Sequence, residues 1–104
     1  MTSESTIYKS SLELLKGIIR DVFKDDDVTV ILFGSRARGD YFETSDMDIA
    51  ILPRSEMNKI KIALFRERIE NSNIPYKVDV VDLSRASKQF TNKVLKEGVP
   101  IWKS

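Results

Sequence analysis

Residues 28–52 read VTVILFGSRARGDYFETSDMDIAIL, and this stretch decides the fold. The run Val28 to Phe33 is rich in β-branched and aromatic residues, the composition of a buried strand. Gly34 follows, where the backbone can turn tightly and approach a ligand with no Cβ in the way. Ser35 adds a hydroxyl and an amide where a short helix can start. Arg36 to Asp40 are expected to form that helix, with Gly39 as its C-terminal stop. After the polar loop Tyr41 to Ser45, a second strand spans Asp46 to Leu52, and Pro53 ends it by removing a ladder donor. Positions i and i+2 of a strand share a face, about 6–7 Å apart. Asp46 and Asp48 therefore leave the sheet side by side, while Met47, Ile49 and Ile51 face the other way. Two carboxylates so placed repel unless a cation lies between them, and a hard divalent ion such as Mg²⁺ is the natural counter-charge.

The Gly34-Ser35 pair, ten intervening residues and Asp46-Met47-Asp48 resemble the signature of nucleotidyltransferases related to DNA polymerase β. The arginines and glycine of GSRARGD and the apolar DIAI tail bring the likeness nearest to the minimal nucleotidyltransferase (MNT) group. These are small single domains often paired with a separate HEPN-domain protein. Length and element order agree as well, so the likeness covers essentially the whole chain, 1–104, as one domain.

Composition bounds the chemistry. A chain of 104 residues with 41% apolar content suits one domain with a modest core. Charged residues make up 32% yet balance to +1, so no global field argues for nucleic acid or an acidic membrane. The chain has no histidine and no cysteine, which excludes a Ser-His-Asp or Cys-His nucleophile, a thiolate zinc site and disulfides. A general base must then be a carboxylate, a lysine or a tyrosine. No apolar run reaches membrane-span length and the MTSEST start does not read as a signal peptide, so a cytoplasmic, soluble protein is expected.

Outward from the central stretch, residues 1–6 are expected to fray. Tyr8, Leu12, Leu15, Ile19 and Val22 form one apolar stripe of a first helix, with Ser10 and Glu13 as a capping box near its start. Asp25, Asp26 and Asp27 close it as a solvated charged turn, since consecutive side chains diverge too far to share a metal. A helix is expected from about Glu56 to Asn71, burying Ile60, Leu64 and Ile69 and exposing Lys61, Arg66 and Arg68. Pro75 precedes a third strand, Tyr76 to Val81, with Val78 and Val80 on one face and Asp79 and Val81 on the other. Ser84 is the expected cap of a last helix reaching about Lys96, stopped by Gly98. Val99 to Trp102 either adds a short edge strand or packs.

This element order indicates an α/β domain with a small sheet. Periodicity leaves open whether the sheet is parallel or mixed. The resemblance implies the polymerase β palm-like arrangement: a mixed sheet, helices packed on one face, and the acids near its open end.

Asp79 is the candidate third acid. A carboxylate amid valines in a buried strand needs a partner. If the second and third strands are neighbours, about 4.8 Å apart, Asp79 joins Asp46 and Asp48. Three such carboxylates can hold two Mg²⁺ ions about 3.5–4 Å apart, the arrangement used for in-line phosphoryl chemistry. One ion would ride on the triphosphate, held by Asp46 and Asp48. The other would bind all three acids and activate an incoming hydroxyl, with Asp79 also the candidate base. The ordinary alternative for Asp79 is a strand-end carboxylate paired with an arginine. Asp82 reads as a loop or cap residue.

Gly34 and Ser35 are the candidate contacts of the β- and γ-phosphates. Arg36, nearer the turn than Arg38, is the arginine expected to meet nucleotide. The competing reading for both is ion pairing with Asp40 or Glu43. Tyr41 and Phe42 are candidates for stacking on a base, although aromatic residues beside a turn are more often core or interface. Trp102 reads as packing.

The resemblance implies Mg²⁺-dependent transfer of AMP from ATP to an acceptor hydroxyl, with pyrophosphate released. It further implies an antitoxin whose acceptor is a tyrosine on a HEPN-domain toxin partner. No second helical domain is read in these 104 residues, so the acceptor wall is expected to come from another chain or from self-association. Two other classes remain open: a non-catalytic module that neutralises a HEPN ribonuclease by covering it, and a homodimeric nucleotidyltransferase of antibiotic-like alcohols.

Overall fold

The computed structural model describes residues 3–39 and 46–103. Helix α1 (Ser3–Phe23) leads into strand β1 (Val28–Phe33), the single-turn helix α2 (Ser35–Arg38) and strand β2 (Met47–Pro53). Helix α3 (Ile60–Glu70), strand β3 (Val78–Asp82), a 3₁₀ turn at Leu83–Arg85, helix α4 (Lys88–Glu97) and strand β4 (Val99–Lys103) complete the order. The sheet runs β3-β2-β1-β4. The β1–β2 and β1–β4 ladders are antiparallel and β2–β3 is parallel, so the sheet is mixed.

Strand alternation sorts the core into two layers. Val28, Val30, Leu32, Met47, Ile49 and Ile51 face α1 and α3, where they meet Leu15, Ile19, Phe23, Ile62 and Phe65. Ile31 and Ala50 face the other way and meet Leu83 and Val94. The two long helices thus share one face as expected. The shorter α4 differs, since its Val94 covers part of the opposite face over β1.

Boundaries differ from expectation where caps were misjudged. Helix α1 already runs from Ser3, and Ser10 lies inside it rather than at its start. Helix α3 begins at Ile60, preceded by an Asn58 side chain that accepts the Ile60 N–H at 3.0 Å. Its buried stripe is Ile62, Phe65 and Ile69, which leaves Ile60 and Leu64 exposed. The α3 cations lie on the outer face as expected, with Arg66 and Arg68 exposed, and each also has a partner. Lys61 pairs with Asp26 at 2.6 Å, Arg68 with Asp21 at 3.3 Å, and Arg66 donates to the Val80 carbonyl at 2.8 Å. Asp26 is therefore an anchor for α3 and not merely part of a solvated turn.

Ser87, not Ser84, caps α4 by accepting the Phe90 N–H at 3.1 Å. Ser84 instead sits in the 3₁₀ turn, where Asp82 accepts its N–H at 2.9 Å and pairs with Lys59 at 2.9 Å. Those bonds hold the Asp82 carboxyl below its ordinary pKa against the opposing effect of burial, the capping role read from sequence. Gly98 ends α4 in an extended conformation, so positive φ is not the reason for glycine there. A Cβ at that position would run into the Ile31 side chain and the Val94 carbonyl. The close approach lets β4 turn directly onto β1.

Candidate active site

The site is built where three strand ends meet. Strand β1 ends at Phe33, and the antiparallel β2 begins beside it, placing Asp48 opposite Phe33. Strand β3 runs parallel to β2 and places Asp79 opposite Asp48. Phe33, Asp48 and Asp79 thus form one row across three strands, with neighbouring strands about 4.8 Å apart. By alternation the row lies on the face that α1 and α3 leave uncovered. Asp46 stands one residue before β2, where the Met47 N–H donates to the Lys77 carbonyl at 2.9 Å and locks the two strand starts together.

Electrostatics couples the three acids. The Asp48 carboxyl is pushed above its ordinary pKa, first by burial, then by the charges of Asp79 and Asp46, with Arg38 pulling the other way. Among the described residues no three carboxylates are closed around a common point as a ready-made metal cage. They do supply a cluster of hard oxygen donors whose mutual repulsion a divalent cation would relieve. The donor type therefore suits a hard divalent cation.

Gly34 presses against this cluster. Its φ of 76° lies in the region that glycine favours. A Cβ there would strike the Asp48 carboxylate and leave the turn no room. Ser35 opens α2, whose left-handed C-terminal residue is Gly39, as expected. The fold brings Gly34 against Asp48 and Asp48 beside Asp79, with Ser35 and Asp46 next to them in the chain.

Arg36 departs from expectation. Its side chain is buried, and its guanidinium stands 4.7 Å from the Tyr8 ring centre and 4.8 Å from that of Tyr76. The two rings also meet edge-to-face at 5.8 Å. Arg36 thus ties α2 to α1 and to the segment before β3. Arg38, ranked second from sequence, is the exposed arginine whose charge acts on Asp48. Tyr41 and Phe42, and the ion-pair partners Asp40 and Glu43, lie outside the described residues.

Sequence reasoning also missed the Phe33–Phe90 pair, edge-to-face at 5.8 Å. Alternation alone could have put Phe33 on the carboxylate face, but nothing local announces that α4 crosses over to meet it.

A model of the polymerase beta nucleotidyltransferase family matches residues 18–104. The chain belongs to this family. Among its members, probable protein adenylyltransferase MntA of Haemophilus influenzae is 30% identical over 95 residues, covering 91% of this chain and 82% of that protein. Protein adenylyltransferase MntA of Shewanella oneidensis is 30% identical over 73 residues, covering 70% of this chain and 52% of that protein. A crystal structure of a toxin–antitoxin with AMP-PNP superposes with a TM-score of 0.70 at 26% identity, covering 89% of this chain and 73% of that one. This member of the family is thus a nucleotidyltransferase with a four-stranded mixed sheet. No helix among its described residues is long and apolar enough to cross a membrane.

Proposed function

We propose that this nucleotidyltransferase moves AMP from ATP onto a hydroxyl of a protein partner, the acceptor being a tyrosine of a HEPN-domain toxin. The observation that carries the reading is the Asp48–Asp79 register, with Asp46 beside it and Gly34 packed against Asp48. The protein adenylyltransferases among its relatives support the reaction class. The structural likeness to a toxin–antitoxin with AMP-PNP supports both nucleotide and partner.

In this reading Gly34 and Ser35 receive the β- and γ-phosphates, and Arg38 offsets charge that develops as the bond breaks. Arg36 holds the turn from beneath through Tyr8 and Tyr76. Asp46, Asp48 and Asp79 would hold two Mg²⁺ ions, whose chemistry when bound is to neutralise the triphosphate and acidify the attacking hydroxyl. Asp79 takes the proton of that hydroxyl. The hydroxyl oxygen bonds to the α-phosphorus, the bond to the β-bridging oxygen breaks, and pyrophosphate leaves with the electron pair. The reaction draws on ATP and Mg²⁺, which suits a cytoplasmic setting.

The test is ATP labelled at the α-phosphate, offered with Mg²⁺ to a purified HEPN-domain protein and to a panel of small alcohols. Label on a partner tyrosine is expected. Label on an alcohol alone, or tight association with no label, would overturn the reading.

A further inference from the structure

Two depressions meet at the Phe33 end of the Phe33–Asp48–Asp79 row. On the β3 side, a groove bordered by Asp48, Asp79, Tyr76 and Arg66 runs over the sheet edge. On the β1 side, a smaller depression of about 180 Å³ lies between α2 and α4, bordered by Gly34, Arg38, Lys93 and Glu97. Phe33 and Phe90 border both, so their edge-to-face pair is the partition between them.

Transfer to phosphorus is in line, with the incoming and departing oxygens on opposite sides of the reacting atom. Asp79 marks the β3 side. A hydroxyl arriving there drives the leaving group toward β1, where the smaller depression opens beside Gly34 and two cations border it. We infer that this depression receives the β- and γ-phosphates, with Lys93 of α4 as a phosphate-binding residue. The groove across the Phe33–Phe90 partition is left for the acceptor. The inference rests on the nucleotidyltransfer reading above and adds α4, an element that the motif does not include. Glu97 lies one helical turn beyond Lys93 on the same face, where it opposes an anion and tempers the grip on the product.

Calorimetric titration with ATP, inorganic tripolyphosphate and AMP, all in Mg²⁺, tests it on the wild type and on Lys93→Ala, Glu97→Gln and Phe90→Ala. Lys93 is exposed, and circular dichroism checks that each variant is folded. Lys93→Ala should weaken ATP and tripolyphosphate by a common factor of about ten and leave AMP unchanged. Glu97→Gln should tighten tripolyphosphate. Unchanged tripolyphosphate binding in Lys93→Ala overturns the inference. So does a Phe90→Ala variant that loses AMP and keeps tripolyphosphate, which assigns the depression to the nucleobase. If the wild type labels an acceptor while Lys93→Ala binds as it does, only this inference falls. A wild type that binds neither ATP nor tripolyphosphate removes the transfer reading as well.

Discussion

Asp48 and Asp79 are register partners across the parallel β2–β3 ladder, and both carboxylates leave the sheet on the face that the two long helices do not cover. Two like charges held by backbone pairing cannot drift apart to relieve their repulsion. The Asp48 carboxyl accordingly titrates above its ordinary value, with burial the larger cause and Asp79 the next. The fold thus holds an unfavourable charge arrangement in place, and a cation or a proton relieves it.

The first consequence is for Asp48→Asn. The substitution keeps shape and removes one charge, so AMP transfer should fall to background while the circular dichroism spectrum is unchanged and the melting temperature without Mg²⁺ is equal or higher. Transfer at near-normal rate, measured with α-labelled ATP, would mean that this carboxylate is not at the reaction centre.

The pH dependence follows with a definite sign. A carboxyl whose folded pKa is raised binds more protons folded than unfolded between its ordinary value of 3.8 and the raised one. Stability contributed through Asp48 therefore declines as pH rises through that window. Denaturant melts of wild type and Asp48→Asn without Mg²⁺ should diverge there, with the wild type losing ground toward higher pH. Saturating Mg²⁺ should close the gap, because a ligand of the folded state at 100 times its Kd adds about 2.7 kcal/mol.

The two arginines should separate in opposite ways. Arg36→Ala removes a buried guanidinium that rests against two rings and should cost about 2 kcal/mol or more in stability. Arg38→Ala, at an exposed position, should change stability by no more than about 0.5 kcal/mol while raising KM for ATP and pushing the Asp48 pKa further up. Chemical denaturation and transfer kinetics on both variants check the contrast.

Gly34→Ala combines a positive-φ penalty of about 1–2 kcal/mol with a collision against the Asp48 carboxylate. Loss of transfer together with a lower melting temperature is expected. A Gly34→Ala protein as stable and active as wild type would show that the turn does not pack as described.

The acids were legible in the sequence because strand alternation is a strict rule: Asp46 and Asp48 two apart, and Asp79 between Val78 and Val80, each face a known way. The glycine turn was legible for the same reason, since Gly34 ends an unmistakable apolar run. Arg36 was not, because a four-residue helix gives each arginine a different side and the rings that select one come from distant parts of the chain. The phase of α3 was misread because IKIALFRERIE carries two apolar stripes. Which one is buried is settled by tertiary partners, Phe23 against Phe65 and Asp26 against Lys61. The course of α4 depends on Gly98 nestling against Ile31, a contact that no local pattern encodes.

The Tyr8–Arg36–Tyr76 cluster reaches ahead of the segment that the family model matches. The family match begins at residue 18, whereas Tyr8 lies ten positions earlier, on a helix that brings no reacting group to the site. A protein trimmed to the matched segment would keep every residue of the motif and still lose one jaw of the clamp beneath the glycine turn. The segment that carries the family motif is thus shorter than the one that supplies every side chain beneath the turn.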